Sequence, residues 1–339
     1  MKKLLPLFLL TFPWACLYGQ KSGVTDLFTE EKPLNLKLNF GIKEIKKKTN
    51  DSVYLPGMLY VQQPDASWDS LKVDLRARGI FRRKNCFFPP VRIKMGKSDT
   101  KNSVFAGNKS LKLVLPCETG GDKNTLIVKE YIAYQLYEQI SPYYFNTRLV
   151  NVDFGDVDGK KIKRYQLTGF LIEDDDLVAK RHKAKIVENR KLHPRGLNDT
   201  LALRHDLFQF MISNIDWSTT FEHNSKLMFK EPSTYIPLAY DFDMSGLVDA
   251  PYGRGDENAV AGGERVYRGF CRNENVTQAV RQEFVDKESV MMGIVDGFQA
   301  VLSPGDIKIM KRYLGEFFSI MKDPNLFKAN ITDKCRTKS

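Results

Sequence analysis

Between Phe210 and Asp243 the chain concentrates oxygen-bearing side chains suited to phosphoryl chemistry. Asn214-Ile215-Asp216-Trp217 is followed by Asn224, then by two strand-like segments flanking Glu231-Pro232-Ser233-Thr234, and finally by Asp241-Phe242-Asp243. Paired as a hairpin, position 230 falls opposite 235 and 225 opposite 240, which sets Asn224 against Asp241. Cross-strand neighbours lie about 5 Å apart at Cβ. Phosphoryl transfer from a nucleotide needs hard oxygen ligands for a divalent ion and a carboxylate to take the acceptor's proton. Asp216 is the candidate base, Asn224 and Asp241 the candidate metal ligands, and Asp243 a second acidic ligand. Taken singly, Asp and Asn in loops cap helices or shape turns. The joint arrangement is what points to a metal–phosphate site.

These groups need elements to carry them. From Leu36 to about Phe170 the pattern is mostly strand: Leu36–Phe40, Leu71–Arg76, Val91–Met95 and Leu111–Leu115 alternate with period two. One helix is predicted over Ile127–Ile140, where Ile132, Leu136 and Ile140 recur every four residues ahead of Ser141-Pro142. Arg148–Phe154 and Lys161–Ile172 read as a hairpin around Asp156-Val157-Asp158-Gly159, since Asp-Gly is a strong turn dipeptide. The acidic run Glu173–Asp176 and the basic stretch Lys180–Lys191 read as a joint. Beyond it, Asn198 or Asp199 can cap a helix running to about Ile215. A helix pair over Glu283–Leu302 and Asp306–Met321 is broken by Ser303-Pro304-Gly305. The expected organisation is a strand-rich part over 36–173 with one helix, a joint over 174–195, and a helical part over 196–339 that bears the candidate site.

Composition sets outer limits. The 339 residues are 42% hydrophobic with 22 Phe and 14 Tyr, enough to fill a core and to exclude a disordered chain. The one long apolar run, Leu4–Leu17, follows Lys2-Lys3 and precedes Gly19. It is short for a bilayer span and shaped like an export signal over 1–19, with cleavage expected near Gly19. Residues 20–35 then form a polar leader, and the mature chain is expected to have no transmembrane segment. Removing two signal lysines lowers the formal charge from +11 to +9, an excess that favours anionic partners. No zinc-finger spacing or basic helix is visible, so nucleic acid is not an expected partner. Cys86, Cys117, Cys271 and Cys335 make an even set that suits an oxidising compartment, with three pairings open. Arg254-Gly255-Asp256 spells an adhesion tripeptide that chance readily produces.

The motif residues resemble the spore-coat protein H (CotH) kinase family, an atypical, secreted bacterial branch of the protein-kinase-like fold. Asn214-Ile215-Asp216-Trp217 with Asn224, and Pro237-Leu238-Ala239-Tyr240-Asp241-Phe242-Asp243, carry the likeness. It extends to Arg76-Ala77-Arg78-Gly79, Val91–Met95, Tyr165–Phe170 and Glu173, covering about residues 70–250. The resemblance implies a two-lobed α+β protein-kinase-like fold with a strand-rich N-terminal lobe and a helical C-terminal lobe. It implies ATP with Mg²⁺ or Mn²⁺ as cofactors, and phosphorylation of a protein or small-molecule hydroxyl. The location implied is exported: periplasmic, cell-surface or secreted. A phosphate-gripping lysine should project from a strand ahead of the helix that bears its acidic partner. Lys94 matches the family pattern, whereas Lys112 has the better spacing to Glu130, and the choice stays open. Glu173 falls where kinases place the hinge that meets adenine. Beyond the metal motif, Arg265 and Arg268 are candidates to read a phosphate or carboxylate on the substrate.

The sequence also departs from the kinase pattern. Seven residues separate Asp216 from Asn224, where a eukaryotic catalytic loop has about four. The metal motif ends in Asp243 in place of Gly, and Arg78-Gly79 stands in for an absent GxGxxG loop. Because ATP is scarce outside the cytoplasm, the alternative function is a catalytically silent surface or periplasmic binding protein. A third reading is a phosphodiesterase or nuclease that uses the same acidic cluster.

Overall fold

The computed structural model describes residues 23–121, 123–188, 190–253 and 265–337. The export signal with its Gly19 boundary, and Arg254-Gly255-Asp256, lie outside them. Alternating hydrophobicity builds seven strands: β1 (Leu34–Phe40), β2 (Leu55–Gln62), β3 (Trp68–Ala77), β4 (Val91–Met95), β5 (Ser110–Val114), β6 (Thr147–Asp158) and β7 (Lys161–Ile172). They join in the order β1-β2-β3-β4-β5-β7-β6 and close into a barrel. Every neighbouring pair is antiparallel except β1 and β6, which run parallel from Leu34↔Val150 to Phe40↔Asp156. Each strand sends every second side chain inward, so Leu36, Leu38, Leu59, Val73, Ile93 and Val152 share one apolar core.

This architecture overturns the expected two-lobed protein-kinase-like fold. The N-terminal half is a closed mixed barrel, because β1 leaves β2 on one side and finds β6 on the other. Period-two alternation shows that these segments are strands, but it is silent about a parallel pairing formed over more than a hundred residues of chain. The leader is also more than a polar tail. Leu27 is fully buried in the barrel core, and Arg148 donates to its carbonyl at 3.0 Å while pairing with Glu30 at 2.9 Å.

Short helices α1 (Ile42–Lys48), α2 (Phe81–Asn85) and α3 (Lys97–Thr100) connect barrel strands. The next, α4 (Lys123–Glu138), covers most of the predicted helix. Its Tyr131, Ile132 and Tyr134 pack with Val114, Phe170 and Ile172 in the same core as the C-terminal helices. The outer barrel wall at β5 and β7 is therefore covered, and these strands are buried on both faces at that end. The predicted joint is structured. It supplies α5 (Asp175–Arg181) and β8 (Lys185–Val187), and β8 edges a second sheet with β9 (Ser225–Lys230) and β10 (Thr234–Ala239).

The helical half contains α6 (Asp199–Met211), α7 (Glu274–Asp296), α8 (Pro304–Lys322) and the short α9 (Pro324–Phe327). Asn198 caps α6 by accepting from the Leu201 amide at 3.1 Å. The helix stops before Ile215 because Ser213 turns into the left-handed region at φ 48°. The cysteines pair as Cys86–Cys117, tying α2 to the chain after β5, and Cys271–Cys335, tying the approach to α7 to the C-terminal segment. Among the described residues, no helix is long and apolar enough to cross a membrane.

Candidate active site

The loop after α6 is wound around Asn214. Its amide donates to Gln209 O at 2.8 Å, its Oδ1 accepts from the Asp216 amide at 3.0 Å, and its carbonyl accepts from Trp217 Nε1 at 3.0 Å. This places the Asp216 carboxylate between two side chains from the far end of the loop. His223 Nε2 lies 2.7 Å from Oδ1, and Asn224 Nδ2 donates to Oδ2 at 2.9 Å and to the Asp216 carbonyl at 2.7 Å. With its amide nitrogen spent on Asp216, Asn224 keeps its oxygen as the group to offer a cation.

The hairpin register differs from the expected one. Lys230 pairs with Thr234 and Ser225 with Ala239, so the connecting loop is Glu231-Pro232-Ser233, one residue shorter than expected. Asn224 consequently stands opposite Tyr240, whose amide donates to the Asn224 carbonyl at 3.2 Å. A one-residue slip would turn every side chain to the other face. Here the backbone compensates at the ends: Asn224 and Asp241 both take left-handed conformations, at φ 47° and 65°, and Glu222 does so at 52°. Three non-glycine residues held this way within one site are a local strain of the kind that clusters where ligands bind.

Asp241-Phe242-Asp243 is fixed through its middle residue. Phe242 is fully buried against the rings of Tyr134, Tyr137 and Phe208, and Tyr134 Oη accepts from the Asp241 amide at 2.9 Å. Asp243 is 4% exposed, accepts from Tyr252 Oη at 3.1 Å, and faces Arg82 Nε at 3.7 Å. Burial first, and then the Asp241 charge, push the Asp243 carboxyl up to about 6. On its other side Arg82 reaches Glu130 at 3.3 Å and donates to Leu115 O at 2.5 Å. Glu130 is also buried, and that burial holds its carboxyl well above the usual range. The acidic partner on α4 therefore meets Arg82, not either candidate lysine. Sequence reasoning missed Arg82, His223 and Tyr252. The run Phe81-Arg82-Arg83-Lys84 reads as surface charge until α2 folds it inward.

Arg82, His223 and the candidate base and metal ligands line one cleft of about 510 Å³ between the barrel and the helical half. The barrel contributes Arg76, Arg78, Arg92 and Lys112; the helical half contributes Asp216, Asn224, Asp241 and Asp243. Lys112 sits on the outer face of β5, 4% exposed, 3.2 Å from Asp175 and 4.6 Å from the Phe145 ring centre. Burial outweighs the attraction of Asp175 and lowers the Lys112 ammonium to about 8. At Asp175 burial opposes ionisation, yet Lys112 and a backbone amide together bring the carboxyl down to about 2.

Above about pH 8 Lys112 is neutral in the fold, while an unfolded lysine stays protonated to about 10.4. The unfolded chain then binds more protons, so stability should rise with pH across that window. Affinity of the cleft for an added polyanion such as a nucleotide should fall over the same range as the cleft loses a cation. Lys112→Met should flatten both profiles, measured by denaturant titration and nucleotide titration.

The other candidates are placed elsewhere. Lys94 projects from β4 two residues beyond Arg92, onto an outer barrel surface shared with Lys72, Asp74 and Asp99. Glu173 is 1% exposed and accepts from Asn146 Nδ2 at 2.7 Å and from Arg181 Nη1 at 2.6 Å, which occupies both of its oxygens. Arg265 stacks on Tyr313 at 4.0 Å and pairs with Glu316 on α8 at 3.3 Å. Arg268 donates to the Ile215 carbonyl and lines a second cavity behind the Asp216 loop.

Among the described residues, no three His, Cys, Asp or Glu side chains are grouped as a metal cage. The oxygen donors at hand are two carboxylates, Asp241 and Asp243, and the Asn224 amide. That set fits Mg²⁺ or Mn²⁺, which take one or two carboxylates and complete their shell with water and phosphate oxygens. The crowding of Asp241 on buried Asp243 is a negative charge that such an ion would balance. No known family model and no curated protein matches this chain.

Proposed function

We propose that this chain is an exported ATP-dependent phosphotransferase that moves the γ-phosphate onto a protein or small-molecule hydroxyl, as its resemblance to the CotH kinases implies. The observation that carries the reading is the meeting of Asp216, Asn224, Asp241 and Asp243 with Lys112 and the barrel arginines in one cleft. The cations suit a polyphosphate tail. Asn224, Asp241 and Asp243 would hold Mg²⁺ or Mn²⁺, which when bound neutralises phosphate oxygens. Asp216 takes the acceptor's hydroxyl proton as that oxygen bonds to the γ-phosphorus. The bond from the γ-phosphorus to the bridging oxygen breaks, and ADP leaves. His223 and Asn224 keep the Asp216 carboxylate aimed for that transfer.

Purified chain incubated with γ-labelled ATP and either metal should become labelled itself or label an added hydroxyl acceptor. Tight nucleotide binding with no transfer under either metal would assign the chain to the silent binding class. Phosphodiester cleavage without ATP would assign the nuclease-like class.

A further inference from the structure

The Asp216 loop has two faces. Its cleft face presents Asp216, His223 and Asn224; its back face, folded over a narrow Ser218↔His223 bridge, closes a separate cavity of about 40 Å³. That cavity exceeds the roughly 10–15 Å³ needed for one water, so it admits a few heavy atoms. Its wall carries Arg268, Arg272 and Arg336, together with Ser218, Thr219 and Thr220. Such a set, cationic forks beside hydroxyls, is the donor chemistry that phosphate oxygens take.

Among the described residues the cations of this wall are incompletely matched. The Arg272 side chain is 2% exposed; it spends Nη1 on Asp199 at 2.5 Å and Nη2 on the Pro194 carbonyl at 2.7 Å, yet its Nε has no partner among the described residues. Buried donors are almost always satisfied. Arg336 is exposed, rests on the Phe270 ring at 4.7 Å and, among the described residues, makes no ion pair, so its guanidinium meets water there. Burial and the neighbouring Arg336 charge both lower the Arg268 guanidinium below its ordinary value. The one carboxylate on the wall, Asp206, is engaged by His205 Nδ1 at 3.1 Å.

We propose that this rear cavity binds a phosphate group, and that its occupancy stiffens the loop carrying Asp216. The link is short, because Arg268 already holds the carbonyl of Ile215, the residue before Asp216. The site stands apart from the phosphotransfer reading and holds whether or not the cleft is catalytic.

The test uses the whole chain and inorganic phosphate, followed by calorimetry and by the fluorescence of Trp217, which lines the cavity. Arg336→Gln keeps the stem that packs on Phe270, and it should weaken phosphate binding at least about tenfold, the loss of one charge-assisted contact. Lys112→Met disables a cation of the cleft and should leave this binding intact. Phosphate should also slow amide hydrogen exchange over residues 214–224 in the native chain and in Lys112→Met, but not in Arg336→Gln. Phosphoserine binding as well as inorganic phosphate assigns the monoester class; inorganic phosphate alone assigns the free ion. Unchanged affinity in Arg336→Gln, or loss of the signal in Lys112→Met, overturns the proposal.

Discussion

Asp216→Asn should leave a folded chain whose proposed phosphate transfer falls by about 10²- to 10⁴-fold, the range for losing a general base. The substitution preserves shape, so Asn214 still binds the residue 216 amide and Trp217 still anchors to the Asn214 carbonyl. Its local cost is confined to one contact. The amide oxygen can still accept from Asn224 Nδ2, and the His223 contact then requires the imidazole to move its proton to Nδ1 so that Nε2 accepts from the new NH2. The residue is partly solvated, with 14% of its side chain exposed, so water can take the displaced contact. Melting temperature and nucleotide affinity should therefore stay near those of the native chain while the labelling rate collapses. Full labelling by the Asn variant would pass the base to another carboxylate of the cleft.

Arg82→Met should be the most damaging single change to stability, at about 3–5 kcal/mol, the usual range for removing one partner of a buried ion pair. Arg82 is 6% exposed and lies between Glu130 and Asp243, both nearly inaccessible to water. Burial works against its charge, but Tyr252, Asp243 and Glu130 outweigh that and hold it above the ordinary arginine value. Without it, two buried carboxylates face each other uncompensated, and each retains protons in the fold to a higher pH than in the unfolded chain. The folded state then binds more protons, so the variant should regain stability as pH falls through those raised values. Denaturant titrations at neutral and mildly acidic pH read both the loss and its sign. A deficit that did not shrink with acid would mean that lost packing, rather than stranded charge, is responsible.

Local signals made much of this legible. The period-two runs became barrel strands, the four-residue spacing of Ile132, Leu136 and Ile140 marked most of α4, and Asp-Gly sits at the β6–β7 turn. The side chains chosen for metal–phosphate chemistry also share a cleft. What escaped depends on distant partners. Barrel closure rests on β1 meeting β6, which leaves no mark in either strand. Lys94 and Lys112 have the same alternating neighbours, and only the covering of β5 by the helical core sends one into the cleft and leaves the other on the barrel surface. The hairpin register hung on whether Thr234 belonged to the loop or to β10. Arg82 was hidden for a related reason, since its partners Glu130 and Asp243 lie far along the chain.

A barrel that shares its outer wall with the helical core cannot swing away as an independent body. Parting them would strip Tyr131, Tyr134 and Phe170 from a common packed interior, and such interiors resist gradual deformation. Closing the cleft by a hinge would have to repack that shared interior. The less constrained part of the cleft is its rim, where Gly79 turns at φ +76° with no atom within 4 Å of a Cβ placed there, and Ile80 stands 93% exposed at the mouth.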